Sequence, residues 1–424
     1  MKRSRIVLLV ENMSFPRDRR VRQEAAALAQ FGYEVSVVCP MGTTRDRHSF
    51  EVIDNIKVYR YWQPWQGKGV LSYLLEYGWA VLCSFLIVIW IWINDGFDVL
   101  HMANPPDLFF LIAAPFLPFK KRFVYDQHDL CPELLEAKLG RAAMLERLLL
   151  FLERCSYKLA NLIIVTNLSA CEVAAKRGAL PEKVCIVRNG PDLNYFVHVA
   201  KRPALKCGAQ YLALYIGSVA TQDGVDRVIQ AAHHIVYNRG RKDARFAILG
   251  DGDCLKELQS LAHALKVEPY IDFAGWVSDD KLLSYISTAD VCLAPEPPRS
   301  FNQLSTFIKI AEYMCFGKVT VSFDLLESRR TLGPAGVYVD RDDPALFGDA
   351  ILDILDAPVL REQLGRIAVE RVRKSLHWGL SRSALLKAYE RLIRDGVPFR
   401  VDCAGPDEDI PSGQTKGSAC ADEV

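Results

Sequence analysis

Residues 294–336 read APEPPRSFNQLSTFIKIAEYMCFGKVTVSFDLLESRRTLGPAG, between the apolar runs Val291–Ala294 and Val319–Ser322. Short β-branched runs flanking a helix-period segment are the pattern of a parallel βαβ unit. Ser305 and Thr306 stand where a helix N-cap is expected. A helix starting at the carboxyl end of a strand turns N–H groups and positive dipole character toward a bound phosphate. Lys309, one turn in, adds a full charge, and Glu312 lies three residues on along the same face. A carboxylate there can accept two hydrogen bonds from a ribose diol. By spacing alone the two residues also read as an ordinary surface ion pair.

The same alternation runs outward in both directions. Strands are expected at Ile6–Val10, Glu34–Cys39, Val99–His101, Arg122–Tyr125, Leu162–Val165 and Val184–Val187. A helix over Asp18–Phe31 should stop at Gly32. The series restarts with Tyr211–Ile216, Arg245–Leu249, Tyr270–Phe273, Val291–Ala294 and Val319–Ser322. At 424 residues the chain exceeds one ordinary core, so two doubly wound α/β domains are expected. Their spans are 1–199 and 209–376. Beyond them, 377–394 is helical and 395–424, acidic and rich in Gly, Pro and Ser, lacks the apolar content to fold.

Composition narrows the function classes. A net charge of +1 gives no basic stripe for nucleic acid. The twelve cysteines include no C-x-x-C pair, so neither a zinc site nor a disulfide framework is suggested. The apolar run behind the basic N-terminus is too short for a secretory signal. A reducing cytoplasm is the expected compartment.

Residues 77–93 (YGWAVLCSFLIVIWIWI) carry no charge. That length is at the lower limit for crossing a bilayer. Crossing would separate the strand at Val99 from those at Ile6 and Glu34, with which it must share a sheet. Two readings remain: a buried core helix, or a helix peripheral on the inner membrane face with Trp79, Trp90 and Trp92 at the interface. The stretch Leu108–Phe119, ending in Lys120–Arg122, would widen such a patch.

The residues Ser305, Thr306, Lys309, Glu312, Tyr313, Met314, Gly317, Lys318, Asp324, Leu325, Glu327 and Arg329 follow, in order, a pattern S-T-x-x-K-x-x-E-Y-M-x-x-G-K…D-L-x-E-x-R. It resembles the donor site of the retaining family-4 glycosyltransferases, bacterial glycan and exopolysaccharide-type members especially. PRDRRVRQEAAAL, YDQHDLCPEL, VRNGPDLNYF, YIGSVATQDGVD, ILGDGD and FAGWVSDDKLLSYISTADVCLAP extend the resemblance from Ile6 to Ile393. It implies a GT-B fold, two Rossmann-like domains facing across a cleft, with the donor mostly on the second and the last helix crossing back to the first.

Roles follow where positions match. The resemblance implies that Glu312 binds the ribose. The first Glu of the family's E-x7-E motif would fall at Leu304, leaving Ser305 and Asn302 as candidate substitutes. In the loop GSVATQDGVD, Asp223 replaces a common Lys, so Lys309, the helix start and Arg329 must supply more of the positive potential. Gly217 and Ser218 would approach the phosphates; Gly250, Gly252, Trp276 and Val277 would flank the base; Glu327 belongs to the same donor motif. His128, within YDQHD, is implied to reach the donor sugar, and with Lys309 it forms the candidate catalytic pair. Arg19, Arg20, His101, Asn104 and Asp129 sit near strand ends and are acceptor-side candidates.

The implied reaction moves a sugar from a nucleotide-diphosphate donor to a hydroxyl of a glycan or lipid-linked acceptor, with retention and without an essential metal or other cofactor. Charge developing on the departing diphosphate would be stabilised by fixed cations and helix N–H groups. A nucleotide-sugar epimerase of the same fold, and a non-catalytic scaffold subunit with a degraded site, are the rival readings.

Overall fold

The computed structural model describes residues 3–42, 46–64, 69–140 and 142–395; the acidic tail lies outside them, apart from Asp395.

The first sheet has eight strands: β1 (Arg5–Leu9), β2 (Glu34–Pro40), β3 (Phe50–Ile53), β4 (Ile56–Tyr61), β5 (Val99–Ala103), β6 (Arg122–Gln127), β7 (Leu162–Val165) and β8 (Val184–Ile186). Their order is β3-β4-β2-β1-β5-β6-β7-β8. All neighbours are parallel except β3 and β4, an antiparallel hairpin at one edge. The second sheet comprises β9 (Tyr211–Ile216), β10 (Ala244–Leu249), β11 (Ile271–Gly275), β12 (Val291–Ala294), β13 (Thr320–Phe323) and β14 (Gly336–Val339), ordered β11-β10-β9-β12-β13-β14 and parallel throughout. These are two doubly wound α/β domains, as the alternation of runs implied.

Both faces of each sheet are covered. Val7, Leu9, Met102 and Phe123 pack on one side of the first sheet, Ile6, Leu8, Val37 and Val124 on the other. This two-sided burial is why its strands read as continuous apolar runs rather than alternating ones. Helix α1 (Arg19–Phe31) is capped by Asp18, whose side chain accepts from the Val21 N–H, and ends at Gly32 with φ 110°. Only glycine takes that left-handed stop without strain.

The helix Trp378–Asp395 returns to the first domain. Trp378, Leu385, Ala388, Tyr389 and Leu392 join the core beside β1 and β8. The Trp378 N–H donates to the Pro191 carbonyl at 2.9 Å. A Cβ on Gly190 would lie 2.4 Å from the Leu376 carbonyl oxygen, so the crossing segment needs glycine at that point.

Helix α2 (Val70–Asn94) is longer than the uncharged run. Ala80, Ser84, Val88 and Ile91 face the protein, while Leu74, Leu75, Leu82, Leu86, Trp90 and Ile93 face outward. It is long and apolar enough to cross a membrane by length and composition alone. Its buried face lies in the same core as β1 and β5. Trp92 packs on Phe116 and Phe119, and the Trp79 indole donates to the Trp62 carbonyl at 2.7 Å.

Candidate functional site

The site is assembled where the carboxyl ends of the two sheets face each other. On the second domain, β9 runs into Gly217, whose φ is 153°. A Cβ there would lie 3.0 Å from the Lys309 Nζ and 2.9 Å from the Tyr215 hydroxyl. Glycine is therefore what lets the ammonium lie against this loop. Gly250 and Gly252 serve the same close packing: a Cβ would come 1.8 Å from the Gly217 oxygen and 2.4 Å from the Val219 oxygen respectively. The Ser218 carbonyl accepts from the Tyr215 hydroxyl at 2.6 Å, with the Ser218 side chain exposed.

Helix Ile308–Cys315 begins later than the sequence suggests. Phe307 occupies the cap position and no side chain caps the first turn. The Ser305 hydroxyl donates to Phe301 O, and Thr306 is engaged by Asn167 and Glu327, so neither acts as the cap. Lys309 is thus the second residue of the helix. Its Nζ sits 4.1 Å from the Tyr215 ring centroid and is ion-paired with Glu296. Glu296 is fully buried, and its second carboxylate oxygen has no partner. Sequence reasoning passed over Glu296, although it stands just past β12, where α/β sheets place their ligand groups.

Glu312 does not pair with Lys309 either. Its carboxylate accepts a hydrogen bond from Arg19, at the start of α1 in the other domain. Burial pushes the Glu312 carboxyl up; Arg19 and Lys309 act against that rise. The Arg19 guanidinium also lies 5.8 Å from the centroid of Phe196.

Three other donor-side candidates have different surroundings from those expected. Glu327 is buried and holds the two domains together: it accepts from the Ser169 hydroxyl at 2.6 Å, the Ser169 N–H at 3.2 Å and Arg330 at 3.1 Å. Asn167 continues this seam with a 2.9 Å bond to Leu304 O and a 3.0 Å bond to Thr306. With its lone pairs so occupied, Glu327 latches the two domains together. Arg329 is paired with Asp324 and stacked 4.4 Å from the Tyr338 ring centroid. Trp276 is 81% exposed, whereas Val277 is half-buried and packs against the core.

On the first domain, β6 carries Asp126 and delivers His128. The His128 Nε2 lies 2.5 Å from Asp126, so the carboxylate orients the ring. Asn104 shapes the same loop: its Oδ1 accepts the His128 N–H at 2.6 Å and the Asp129 N–H at 3.2 Å. Its amide donates to Asp107 and to the Asp129 carbonyl. Asn104 is thereby a buried scaffold for this loop. Arg20 is buried too, donating to Asp126 Oδ1 at 2.7 Å and to Val187 O and Asn189. His101 is sealed off, its Nδ1 2.6 Å from the Tyr389 hydroxyl of the crossing helix. Arg20 and His101 both turn inward, toward the buried carboxylates of Glu24 and Asp126.

Glu24, His101 and Asp126 present ligand atoms within 4.8 Å of one another, a spacing a metal could use. Arg20 already supplies the charge there, 3.1 Å from Glu24 and 2.7 Å from Asp126. Burial works to raise the Asp126 carboxyl, but Arg20 and His128 hold it well below the usual range. Glu24 goes the other way, raised by burial despite Arg20. The two carboxyls are thus pushed apart, Asp126 toward the charged form and Glu24 toward the protonated one.

Between the domains lies a cavity of about 370 Å³. Glu11, Glu76 and Asp129 line it from the first domain, Asp223, Asn302 and Phe307 from the second. Gln63 spans two of these acids, its amide 3.0 Å from Glu11 and 3.0 Å from Glu76. Neither Glu11 nor Glu76 was singled out in sequence. Glu11 stands two residues past β1, where such sheets carry site residues.

Residues 18–190 match the family model described as glycosyl transferase 4-like domain, and residues 210–357 the model described as glycosyl transferases group 1. A D-inositol 3-phosphate glycosyltransferase 2 of Catenulispora acidiphila is 27% identical over 260 residues, 58% of this chain and 60% of that protein. A phosphatidyl-myo-inositol mannosyltransferase of Mycobacterium leprae is 33% identical over 161 residues, 38% of this chain and 41% of its own. The chain thus matches no more than about 60% of the length of these curated relatives. Among solved structures, sucrose-phosphate synthase from Thermosynechococcus elongatus superposes with a TM-score of 0.77 at 18% identity, covering 92% of this chain and 99% of its own. Anabaena HepE in complex with UDP-glucose gives 0.68 at 14% identity, covering 92% and 100%. The fold shared with them is GT-B.

Proposed function

Because the chain belongs to the family-4 glycosyltransferases of the GT-B fold, we propose that it transfers a sugar from a nucleotide-diphosphate sugar to a hydroxyl of a glycan or lipid-linked acceptor. The observation that carries this reading is the placement of Lys309 and Glu312 on one helix whose first turn has no side-chain cap. Lys309, against the Gly217 loop, would take the diphosphate, and Glu312 the ribose diol. His128, with its Nε2 held by Asp126, would present its other nitrogen to the transferred sugar. Bond cleavage leaves charge on the diphosphate, where a fixed ammonium and helix N–H groups act most strongly. Front-face attack assisted by the leaving phosphate, with retention and without an essential metal, is the mechanism that fits these groups. The UDP-glucose complex of HepE, which has the same fold, supports a nucleotide-sugar donor.

A thermal-shift screen against UDP-, GDP-, dTDP- and ADP-sugars, followed by transfer assays, tests this reading. Binding of one donor, lost with transfer in Glu312→Ala, is expected. Full activity in that variant would remove the donor-site assignment. Donor consumed without acceptor would instead favour an epimerase, and failure to bind any nucleotide diphosphate a scaffold.

The outward face of α2 supports a second part of the proposal, peripheral contact with a membrane. Leu82, Leu86, Trp90 and Ile93 are exposed on it, with Leu111 and Phe119 exposed nearby in sequence and Lys120 beside them. Apolar insertion flanked by basic charge is how monotopic surfaces bind anionic lipid. Flotation with phosphatidylglycerol vesicles should carry the protein upward, and Leu86→Glu with Trp90→Glu should release it. Unchanged soluble behaviour of the parent protein would end this part.

A further inference from the structure

The seam between the domains is a closed circuit of hydrogen bonds. Asn167 caps the helix Leu168–Lys176 of the first domain, its Oδ1 accepting the Ala170 N–H at 2.7 Å. The amide of the same side chain crosses to the second domain, donating to Leu304 O at 2.9 Å and to Thr306 Oγ1 at 3.0 Å. The Thr306 hydroxyl in turn donates to Glu327 at 3.1 Å. Glu327, in the first turn of helix Leu326–Leu332, closes the circuit by accepting from the Ser169 hydroxyl and N–H. Asn167, Ser169 and Glu327 are each at most 1% exposed. A buried carboxylate thus completes the N-terminus of a helix in the other domain, where orphan N–H groups and the helix dipole both favour it. Arg330, one turn on from Glu327, reaches Ser169 at 2.7 Å and Glu172 at 2.8 Å.

Both ends of the circuit lie beside groups assigned to the chemistry. Asn167 stands two residues past Val165, the last residue of β7. Val165 pairs with Gln127 of β6, and His128 follows Gln127 directly. Across the seam, Thr306 stands three residues before Lys309 and six before Glu312. A short path therefore joins His128 to the donor helix, through one strand ladder and the side chain of Asn167. Such spacing matters, because a misplacement of about 1 Å at a reacting group can lower a rate about a hundredfold.

We propose that Asn167, Ser169 and Glu327 are positioning residues for the transfer step: their seam sets His128 against the donor helix without touching the donor. The inference rests on the transferase reading and deepens it. The contacts assigned to the nucleotide, from Lys309, Glu312 and the Gly217 loop, all belong to the second domain. Loosening the seam leaves those contacts in place and moves what the first domain adds. Donor affinity then survives while turnover falls. Loss of a binding contact would instead raise KM and leave kcat unchanged.

The test compares the full chain with its variants Asn167→Asp, Asn167→Ser and Ser169→Ala. Both Asn167 variants keep an oxygen that can cap helix Leu168–Lys176 and lose the amide that crosses the seam. An unchanged melting temperature beside a lowered kcat therefore sets a merely structural role aside. In each variant kcat should fall roughly tenfold to a hundredfold, with calorimetric Kd values for UDP, GDP, dTDP and ADP staying within about twofold of the parent's. Small-angle X-ray scattering, which needs no activity, should give a larger radius of gyration for Asn167→Asp, the domains parting at the seam. Parent-like kcat in all three variants overturns the inference, as does a loss of kcat matched by an equal loss of nucleotide affinity. A parent that transfers no sugar fails the transferase reading instead. Scattering alone then decides, and a curve identical to the parent's overturns the role of the seam.

Discussion

The guanidinium of Arg19 donates to the carboxylate of Glu312 across the cleft, so the group assigned to the ribose already has a partner in the other domain. On the proposed assignment, a nucleotide would displace that guanidinium to reach Glu312. The pair is partly exposed on the arginine side, where such contacts contribute about 0–1 kcal/mol. Arg19→Ala should therefore bind nucleoside diphosphate about two- to fivefold more tightly by calorimetry. Weaker binding would mean that Arg19 itself holds the ligand.

Lys309 and Glu296 should prove inseparable. Removing the ammonium in Lys309→Ala leaves Glu296 charged and buried, a loss of about 3–5 kcal/mol. Urea denaturation should show that loss, and Lys309→Met with Glu296→Gln should recover most of it. Inactivity of Lys309→Ala is then read beside its stability, whereas Glu312→Ala keeps its fold.

The buried cluster under His128 makes a graded prediction. Asp126→Asn leaves Arg20 without its main counter-charge and should cost about 3–5 kcal/mol. Tyr389→Phe deletes only the hydroxyl facing His101 and should cost about 1 kcal/mol. Equal losses in chemical denaturation would contradict this arrangement of charges.

Glu11 should give the protein a measurable pH slope. Its folded carboxyl is raised above the ordinary 4.5 to about 7, mainly by burial. The folded state then binds the extra proton, so this contribution is complete below about 4.5 and is lost as pH rises through about 7. Glu11→Gln should flatten the stability profile between those values by about 1–3 kcal/mol. Glu153, also raised to about 7, leaves a residual slope. An unchanged profile would place the Glu11 carboxyl in the ordinary range.

The fold was readable because each parallel strand is buried on both faces and announces itself as a short apolar run. Leu162–Val165, Tyr211–Ile216 and Val291–Ala294 have the bounds expected of them. Strands β3, β4 and β14 are not among those expected. Phe50–Ile53 and Ile56–Tyr61 mix polar with apolar residues, and Gly336–Val339 is short and opens on a glycine. A hairpin signal was present at Asp54–Asn55, whose φ values of 50° and 64° suit a tight turn between strands. At the site, spacing located Lys309 and Glu312 but not what they touch. Their partners Glu296 and Arg19 come from another strand end and another domain, and local periodicity carries no record of such pairs. The hydroxyls of Ser305 and Thr306 misled for the same reason: both have partners elsewhere in the fold.

The return of helix Trp378–Asp395 to the first sheet has a consequence for biosynthesis. The N-terminal core includes side chains from near the end of the described chain, Leu385, Tyr389 and Leu392 among them. Until they leave the ribosome, Ile6, Val35 and Val124 lack part of their cover, and His101 lacks its hydroxyl partner. The core of the first domain is therefore completed only after the second domain has been synthesised.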